Sequence, residues 1–279
     1  MKKIIIGIIL FSIFLFSVIL FHIKYYSKSK ENFLNDNEDL VIVVAHFNED
    51  LDWLKQSKYP IIVCNKKGSG SMNFIQDENC TMDINRGREA SAFLKYIINN
   101  YDNLPNKIAF IHGHETAYHQ RYPYGILKAI ENANIDKYGY ISLNNELQSI
   151  ILQNNKFDRN HPKVIFGTDD VHHLEMKNRW SELYEKELNY EFPKALRYQR
   201  SAQFIVTKEK IRSHSKKFYQ DLYNYVIDLK NDDYTTSVVL EFSWHMIFGE
   251  TPDMCNTLKN DELYNSCNDD TYFKTRFKN

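Results

Sequence analysis

The chain has 279 residues, of which 43% are hydrophobic and 25% are charged, as is usual for one globular domain of good size. Its formal net charge of -1 provides no electrostatic footprint for nucleic acid, so DNA and RNA are excluded as expected partners.

A continuous apolar segment opens the chain. Residues 4–23 contain no charged side chain and match in length the hydrocarbon core of a bilayer crossed by one helix. A cleaved signal peptide would have a shorter apolar core and a small-x-small cleavage site, whereas this run continues into His22-Ile-Lys-Tyr-Tyr-Ser. The sequence therefore predicts a short flank (1–3), a single-pass transmembrane signal anchor (4–23) and a polar tether (24–38). Lysines on both sides of the anchor leave its orientation open.

Three short apolar runs follow the tether and predict buried strands. They lie at residues 40–45, 60–64 and 107–111, and the first is rich in β-branched side chains. A short helix is predicted at 50–56 and a longer one at 88–101, whose apolar residues fall on one face. This alternation predicts an α/β fold with a mostly parallel sheet and helices on both of its faces.

The second half of the soluble part has a less regular pattern. It predicts helices at 126–133 and 178–188, strands at 164–167 and 202–206, and one or two helices within 208–229. Residues 238–248 carry both strand and helix signals. With no internal repeat, we expect one domain over residues 39–250 and a polar, aromatic C-terminal tail at 251–279.

The four cysteines do not have the close spacing of a metal site. They are Cys64, Cys80, Cys255 and Cys267. Two disulfides are possible if the domain lies outside the cytosol, and the Cys255–Cys267 pair is the easiest to form because it is close in sequence. Four free thiols are equally consistent with the sequence.

An ordered series of polar motifs follows the predicted strands and helices. The series begins with His46-Phe-Asn-Glu-Asp-Leu-Asp-Trp53, Asn85-Arg-Gly-Arg-Glu89 and Phe110-Ile-His-Gly-His114, and it ends with Ala202-Gln-Phe-Ile-Val206 and Glu241-Phe-Ser-Trp-His245. Over about residues 40–250 the chain resembles a family catalogued only as a domain of unknown function, whose members look like divergent nucleotide-sugar glycosyltransferases. The wider resemblance is to transferases of the GT-A fold, and it implies a Rossmann-like sheet.

This resemblance implies a donor site for a nucleotide sugar and an acceptor that is a glycan, a lipid or a protein. It implies that Asn48 and Glu49 lie near the nucleotide, and that Asn85, Arg88 and Glu89 line the donor pocket. By analogy with anchored glycosyltransferases, it also implies a domain on the luminal side of the membrane.

The chain departs from the GT-A pattern where an Asp-x-Asp motif normally holds a divalent metal. The corresponding residues are His112-Gly-His114, and imidazole suits softer metals such as Zn²⁺ better than Mg²⁺. The resemblance leaves three alternatives: a different metal such as Mn²⁺ or Zn²⁺, positive charge from Arg88 in place of a metal, or a metal held by Asp169 and Asp170.

The residues themselves allow both functional and structural interpretations. His112 and His114 are two apart at a strand end, so they can point to the same side and bind one metal with His119, or they can contact substrate hydroxyls or buried carbonyls. The resemblance to GT-A enzymes implies that the late histidine, His245, can also complete the metal site. The Asn48–Asp50 segment can equally cap the helix that follows it. Arg86, Arg88 and Glu89 can bind a pyrophosphate at a helix start or form surface ion pairs.

Glu241 is the predicted catalytic base. If its segment is helical, Glu241 and His245 share one face, and a carboxylate there can deprotonate an acceptor hydroxyl. The alternative is a capping acid and a core histidine.

Three hypotheses follow from these residues. The leading one is a membrane-anchored glycosyltransferase that uses a nucleotide sugar. The second is a metal-dependent hydrolase built on His112, His114 and His119, which needs three ligands and an open water position. The third is a non-catalytic, membrane-tethered carbohydrate-binding or interaction protein of the same fold.

Overall fold

The computed structural model describes most of the chain after residue 38. The described residues are 39–66, 74–78, 80–82, 84–120, 125–144, 147–153, 156–157, 171–193, 195–199, 201–254 and 269–278. The described residues from Leu40 onward belong to one compact unit. The predicted anchor at 4–23 and its tether lie outside the described residues. Within the described part, no helix has the length and apolar character needed to cross a membrane.

A six-stranded sheet forms the centre of this unit. Its parallel part consists of β1 (Leu40–His46), β2 (Ile61–Asn65), the short β3 (Ile75–Gln76) and β4 (Lys107–His112). The strand order in this part is β3-β2-β1-β4, with β1 between β2 and β4. All seven side chains of β1 are buried, as the β-branched run predicts for a strand covered on both faces.

Two further strands complete the sheet beyond β4. β9 (Phe204–Thr207) pairs with β4 in the antiparallel direction, and β5 (Tyr140–Ser142) pairs with β9 antiparallel. Five strands therefore run one way and β9 runs the other. The mostly parallel α/β sheet is confirmed, while the placement of helices on both faces stays a prediction.

A second, three-stranded antiparallel sheet was not predicted from the sequence. It consists of β7 (Lys156–Phe157), β6 (Leu147–Gln153) and β8 (Ala195–Gln199), in that order. The strand predicted at 164–167 lies outside the described residues.

Helices connect and cover the strands. They are α1 (Arg88–Asn100), α2 (Gly125–Asn132), α3 (Ile135–Tyr138), α4 (Val171–Leu183), α5 (Glu185–Leu188), α6 (Lys208–Arg212), α7 (Lys216–Ile227), α8 (Asp233–Ile247) and α9 (Asp269–Arg276), with 3-10 helices at Asp52–Gln56 and Tyr101–Asn103. The ambiguous segment at 238–248 is thus helical.

Aromatic side chains join α1 and α8 to the sheet. The ring of Phe93 on α1 lies 4.9 Å from Phe110 on β4 and 5.9 Å from Phe204 on β9. Trp244 on α8 contacts Phe204 at 5.2 Å and stacks on Phe248 at 5.8 Å. These large rings are buried, so the two helices are fixed to β4 and β9.

A disulfide and the C-terminal helix add further contacts within the fold. Cys64 at the end of β2 is bonded to Cys80. This pair was left open by the sequence, and Cys255 and Cys267 lie outside the described residues. Tyr272, Arg276 and Phe277 are buried, and Phe277 forms a β-bridge with Ala133, so the described end of the chain packs into the fold.

Candidate functional site

A cleft of about 580 Å³ lies where β1 and β4 end. Because these two parallel strands are neighbours, the loops at their carboxyl ends meet at the same edge of the sheet. The cleft is lined by the residues after β1 and after β4, which are Phe47, Asn48, Glu49, Asp50, Trp53, Gly113, His114, Glu115 and Thr116. The predicted residues Asn48, Glu49 and His114 are therefore in one cleft.

The Glu49 carboxylate is held rigidly against the turn that follows β1. Its Oε2 atom accepts hydrogen bonds from the backbone N–H groups of Phe47 at 2.7 Å and Asn48 at 3.1 Å. Burial raises the pKa of Glu49, but backbone hydrogen bonds from Phe47 and from Glu49 itself, together with the nearby His114 and His46, outweigh burial, and the pKa is lower than usual. Glu49 is thus an ionised, preorganised acceptor.

Close packing joins the two loops of the cleft. The indole Nε1–H of Trp53 donates a hydrogen bond of 3.1 Å to the carbonyl of Gly113. A Cβ atom at position 113 would lie only 2.9 Å from Oε2 and 3.0 Å from Cβ of Glu49. Glycine is therefore required between the two histidines for Glu49 to occupy its place.

The two histidines of the His112-Gly-His114 motif each face a different carboxylate. His114 Nε2 lies 3.8 Å from Glu49 Oε1, and we call this the outer pair. His112 Nε2 lies 3.8 Å from Glu89 Oε2, and we call this the inner pair. The His114 side chain is 57% exposed and that of His112 is 17% exposed.

Burial shifts the pKa values of both members of the inner pair, in opposite directions. It raises the pKa of Glu89, although Lys66, Arg88 and His119 partly offset the effect. It lowers the pKa of His112 to about 3, reinforced by the other two histidines. Among the described residues, Glu89 Oε1 and His112 Nε2 have no hydrogen-bond partner.

A buried amide network fixes His112 and His119. The backbone N–H of His112 donates to Gln203 Oε1 at 3.1 Å, and Gln203 Nε2 donates to Asn144 Oδ1 at 3.2 Å. His119 Nδ1 donates to the same Asn144 oxygen at 2.8 Å. The rings of His112 and His119 lie 5.7 Å apart. Gln203 and Asn144 were not predicted, because they come from distant parts of the sequence.

Lys66 is a further site residue that the sequence did not predict. It is buried directly after β2, and its ammonium group donates to the carbonyls of Arg86 at 2.8 Å and of Arg88. Its backbone N–H donates to the carbonyl of His46 at 2.8 Å. Burial lowers the pKa of Lys66 to about 8, against the opposing effect of Glu89. Lys66 therefore connects the end of β1 to the start of α1.

The arginines before α1 have different surroundings. Arg86 donates to the carbonyls of Asp228 at 2.6 Å and Asn231 at 2.5 Å, and so binds the loop between α7 and α8. The exposed Arg88 places its guanidinium 4.4 Å over the ring of Tyr234. Asn85 is exposed at the same turn.

The predicted residues Glu241 and His245 lie on α8 and are not among the residues that line the cleft. His245 donates to the carbonyl of Pro252 at 3.2 Å, and its ring stacks on Tyr198 at 6.0 Å. Glu241 follows Tyr234 by seven residues, so it lies on the same side of α8, about 10 Å along the axis. Asp169 and Asp170 lie outside the described residues.

The described residues do not fit a metal site held by protein ligands alone. No group of three or more histidine, cysteine, aspartate or glutamate side chains in the described ranges is arranged to bind a metal ion. The histidines are instead paired singly with carboxylates, and His119 is engaged with Asn144. The predicted metal ligands His112, His114 and His245 therefore stay a prediction.

A family model described as protein of unknown function (DUF3431) matches residues 41–262, which include both loops of the cleft. No curated protein and no solved structure matches the chain.

Proposed function

The chain belongs to the family of proteins of unknown function DUF3431, and from the geometry of its cleft we propose that it is a glycosyltransferase-like protein that binds a nucleotide sugar. The observation that carries the proposal is the position of the cleft. The chain passes from β1 outwards to β2 and β3 and then returns to β4 on the other side of β1. Open α/β sheets bind nucleotides at such a reversal of strand order, outside the carboxyl ends of the strands.

The chemistry of the cleft supports the same function. The ionised Glu49 can accept hydrogen bonds from ribose or sugar hydroxyls, as acidic residues do in nucleotide-binding sheets. Phe47 and Trp53 supply aromatic surface for a base or a sugar ring. Arg88 lies at the start of α1, where it can reach a diphosphate.

We propose that Glu241 accepts the proton of the acceptor hydroxyl. The hydroxyl oxygen then bonds to the anomeric carbon of the donor, and the bond from that carbon to the diphosphate oxygen breaks with its electron pair leaving on the diphosphate. Glu241 lies on the same side of α8 as Tyr234, and the Arg88 guanidinium lies over the Tyr234 ring. This arrangement supports the role of Glu241.

The N-terminal segment gives the proposed enzyme a location. We propose that residues 4–23 anchor it to a membrane and that the domain faces the lumen or the exterior. The Cys64–Cys80 disulfide supports this side, because disulfides persist in oxidising compartments and are rare in the cytosol.

Binding of nucleotide sugars to the full-length chain tests the proposal. We expect one of UDP-glucose, UDP-N-acetylglucosamine and GDP-mannose to raise the melting temperature, and Glu49→Ala to weaken binding about 10- to 100-fold through loss of a charged hydrogen-bond acceptor. Asp52→Asn is a matched control, since Asp52 is exposed on the same segment and does not line the cleft.

Other outcomes would select the other hypotheses. No response to any nucleotide sugar, combined with binding of a free oligosaccharide, would replace the transferase with a carbohydrate-binding protein. Stabilisation by Zn²⁺ alone would instead support the hydrolase.

A further inference from the structure

The cleft has an uneven distribution of charge. Three of its lining residues are carboxylates, namely Glu49, Asp50 and Glu115, and none of the described lining residues is lysine or arginine. A diphosphate in this cleft would therefore lie against negative charge, which costs free energy. An uncharged part of the ligand fits this lining better than its phosphates do.

One oxygen of Glu49 remains available to such a group. Oε2 is occupied by the N–H groups of Phe47 and Asn48, which fix the orientation of the carboxylate. Oε1 points toward His114 Nε2, and the 3.8 Å between them is too long for a direct hydrogen bond. A single oxygen atom can nevertheless lie about 2.8 Å from both atoms.

The indole of Trp53 provides the adjoining surface. Its Nε1–H is bound to the carbonyl of Gly113, so the ring has a fixed orientation before any ligand arrives. A flat aromatic ring beside a fixed carboxylate suits a sugar ring, which offers an apolar face and hydroxyls that can donate and accept at once. A phosphate offers only acceptors, and an ammonium group only donors.

We propose that this cleft holds the sugar ring of the ligand, with one ring hydroxyl donating to Glu49 Oε1 and accepting from His114 Nε2–H, and with the ring face on Trp53. The inference rests on the proposed function for the ligand being a nucleotide sugar. Both the ribose and the transferred hexose carry such hydroxyls, so the experiment must distinguish them.

Deletion of single hydroxyls from the probe distinguishes the two sugars. In one arm, calorimetry compares UDP and GDP with their 2′-deoxy and 3′-deoxy forms on the full-length protein. In the other arm, it compares glucose, galactose and mannose with their monodeoxy forms. In one of the two arms, we expect removal of one hydroxyl from the probe to weaken its binding to the wild-type protein about tenfold.

The same series with Glu49→Gln tests whether that hydroxyl contacts Glu49. We expect the tenfold penalty to shrink to about twofold or less, because the deleted hydroxyl and the altered carboxylate belong to one interaction. A change that only disturbed the fold would weaken all probes equally and leave the penalty intact. Asp52→Asn is the matched control, because Asp52 is exposed on the same segment, does not line the cleft and should preserve the tenfold penalty.

Three results would overturn the inference. These are an equal penalty in wild type and Glu49→Gln in both arms, no binding of any of these probes, or stabilisation by Zn²⁺ or Mn²⁺ alone that Glu49→Gln abolishes. Failure of the proposed function looks different. If monosaccharides bind with the Glu49-dependent penalty while no nucleotide or nucleotide sugar binds, the hydroxyl site stands and the transferase does not.

Discussion

Gly113 occupies the tightest contact of the cleft. It separates the two histidines, accepts the Trp53 hydrogen bond and leaves no room for a Cβ atom beside Glu49. The outer pair therefore depends on the absence of a side chain at this position.

The variant Gly113→Ala tests that dependence. The added methyl group must displace Glu49, so we expect about 1–3 kcal/mol of lost stability and about tenfold weaker binding of whichever nucleotide sugar binds wild type. Calorimetry on single and double variants provides the measurement. In a Glu49→Gln background, the glycine substitution should reduce binding little further, and a full additional loss would show that Gly113 acts by another route.

The buried His245 makes stability depend on pH. Burial lowers its pKa to about 4, against the opposing hydrogen bond to Pro252, whereas an unfolded chain has a histidine pKa of about 6.5. Between these values the unfolded state binds a proton that the folded state does not, so stability falls as the pH is lowered through this window.

Urea unfolding at pH 7 and pH 5 measures this effect. We expect His245 to account for about 2 kcal/mol of the stability lost over that range, and His245→Gln to remove that part of the pH dependence. If wild type and variant show the same slope with pH, His245 is not the group responsible.

Some site residues could be predicted at the residue scale and others could not. Glu49, His112 and His114 follow apolar strands directly, so their location at the sheet edge follows from local sequence. Lys66, Asn144 and Gln203 act through contacts with residues far away in the chain, and no local pattern marks such contacts.

At the scale of elements, the end of β2 is joined covalently to the segment that leads to α1. The Cys64–Cys80 bond lies beside two backbone links, from Met82 N–H to the Asn65 carbonyl at 2.8 Å and from Lys66 N–H to the His46 carbonyl at 2.8 Å. This junction positions Lys66, and with it the start of α1.

Removal of the disulfide should loosen the junction. The two cysteines are 16 residues apart, and a crosslink over such a loop contributes about 3 kcal/mol, so we expect Cys64→Ala/Cys80→Ala to lose about 2–4 kcal/mol in urea unfolding. Reductant should lower the melting temperature of wild type more than that of the double variant. If reductant lowers the melting temperature of both proteins equally, its effect comes from other cysteines.

The start of α1 depends on a left-handed glycine. Gly87 has φ of 71°, its N–H donates to Asp233 Oδ1 at 2.6 Å, and an added Cβ atom would lie 2.1 Å from Val226. We expect Gly87→Ala to destabilise by about 2–4 kcal/mol, lowering the melting temperature by about 5–10 °C. Calorimetric melting provides the measurement. The comparison variant Ala92→Gly, inside the same helix, should lower the free energy of unfolding by only about 1 kcal/mol through helix propensity, plus any loss of packing. If Gly87→Ala melts at the same temperature as wild type, position 87 does not require glycine.

Element types were easier to predict than element directions. β1, β2, β4 and α1 follow from apolar runs and helical periodicity, and they lie within a few residues of their predicted bounds. β9 was predicted as a strand, but periodicity does not indicate that it runs antiparallel to β4. β6 and β8 were not predicted as strands.

At the scale of the whole molecule, the C-terminal helix belongs to the fold although the family match ends at residue 262. Arg276 lies 3.5 Å from the buried Glu250 and stacks on Tyr138 at 3.9 Å. Its carbonyl accepts from the N–H of Asn134, and Tyr272 OH accepts from the N–H of Ser142 on β5.

Arg276→Met should therefore unfold more easily than wild type. It removes the ion-pair partner of the buried Glu250 carboxylate and leaves Lys210 as the remaining cation that lowers the pKa of Glu250, so we expect a loss of about 3 kcal/mol in urea unfolding at pH 7. Burial already raises the pKa of Glu250, with Arg276 partly offsetting it. The double variant Arg276→Met/Glu250→Gln should recover part of the loss, and no recovery would mean that Arg276 acts through packing alone.

The two outermost strands of the main sheet are very short. β3 has two residues and β5 has three, so each edge exposes few unpaired backbone groups. A long, flat edge would offer a template on which the strand of another chain could add and start an aggregate. The described edges of this sheet therefore offer little length for such growth.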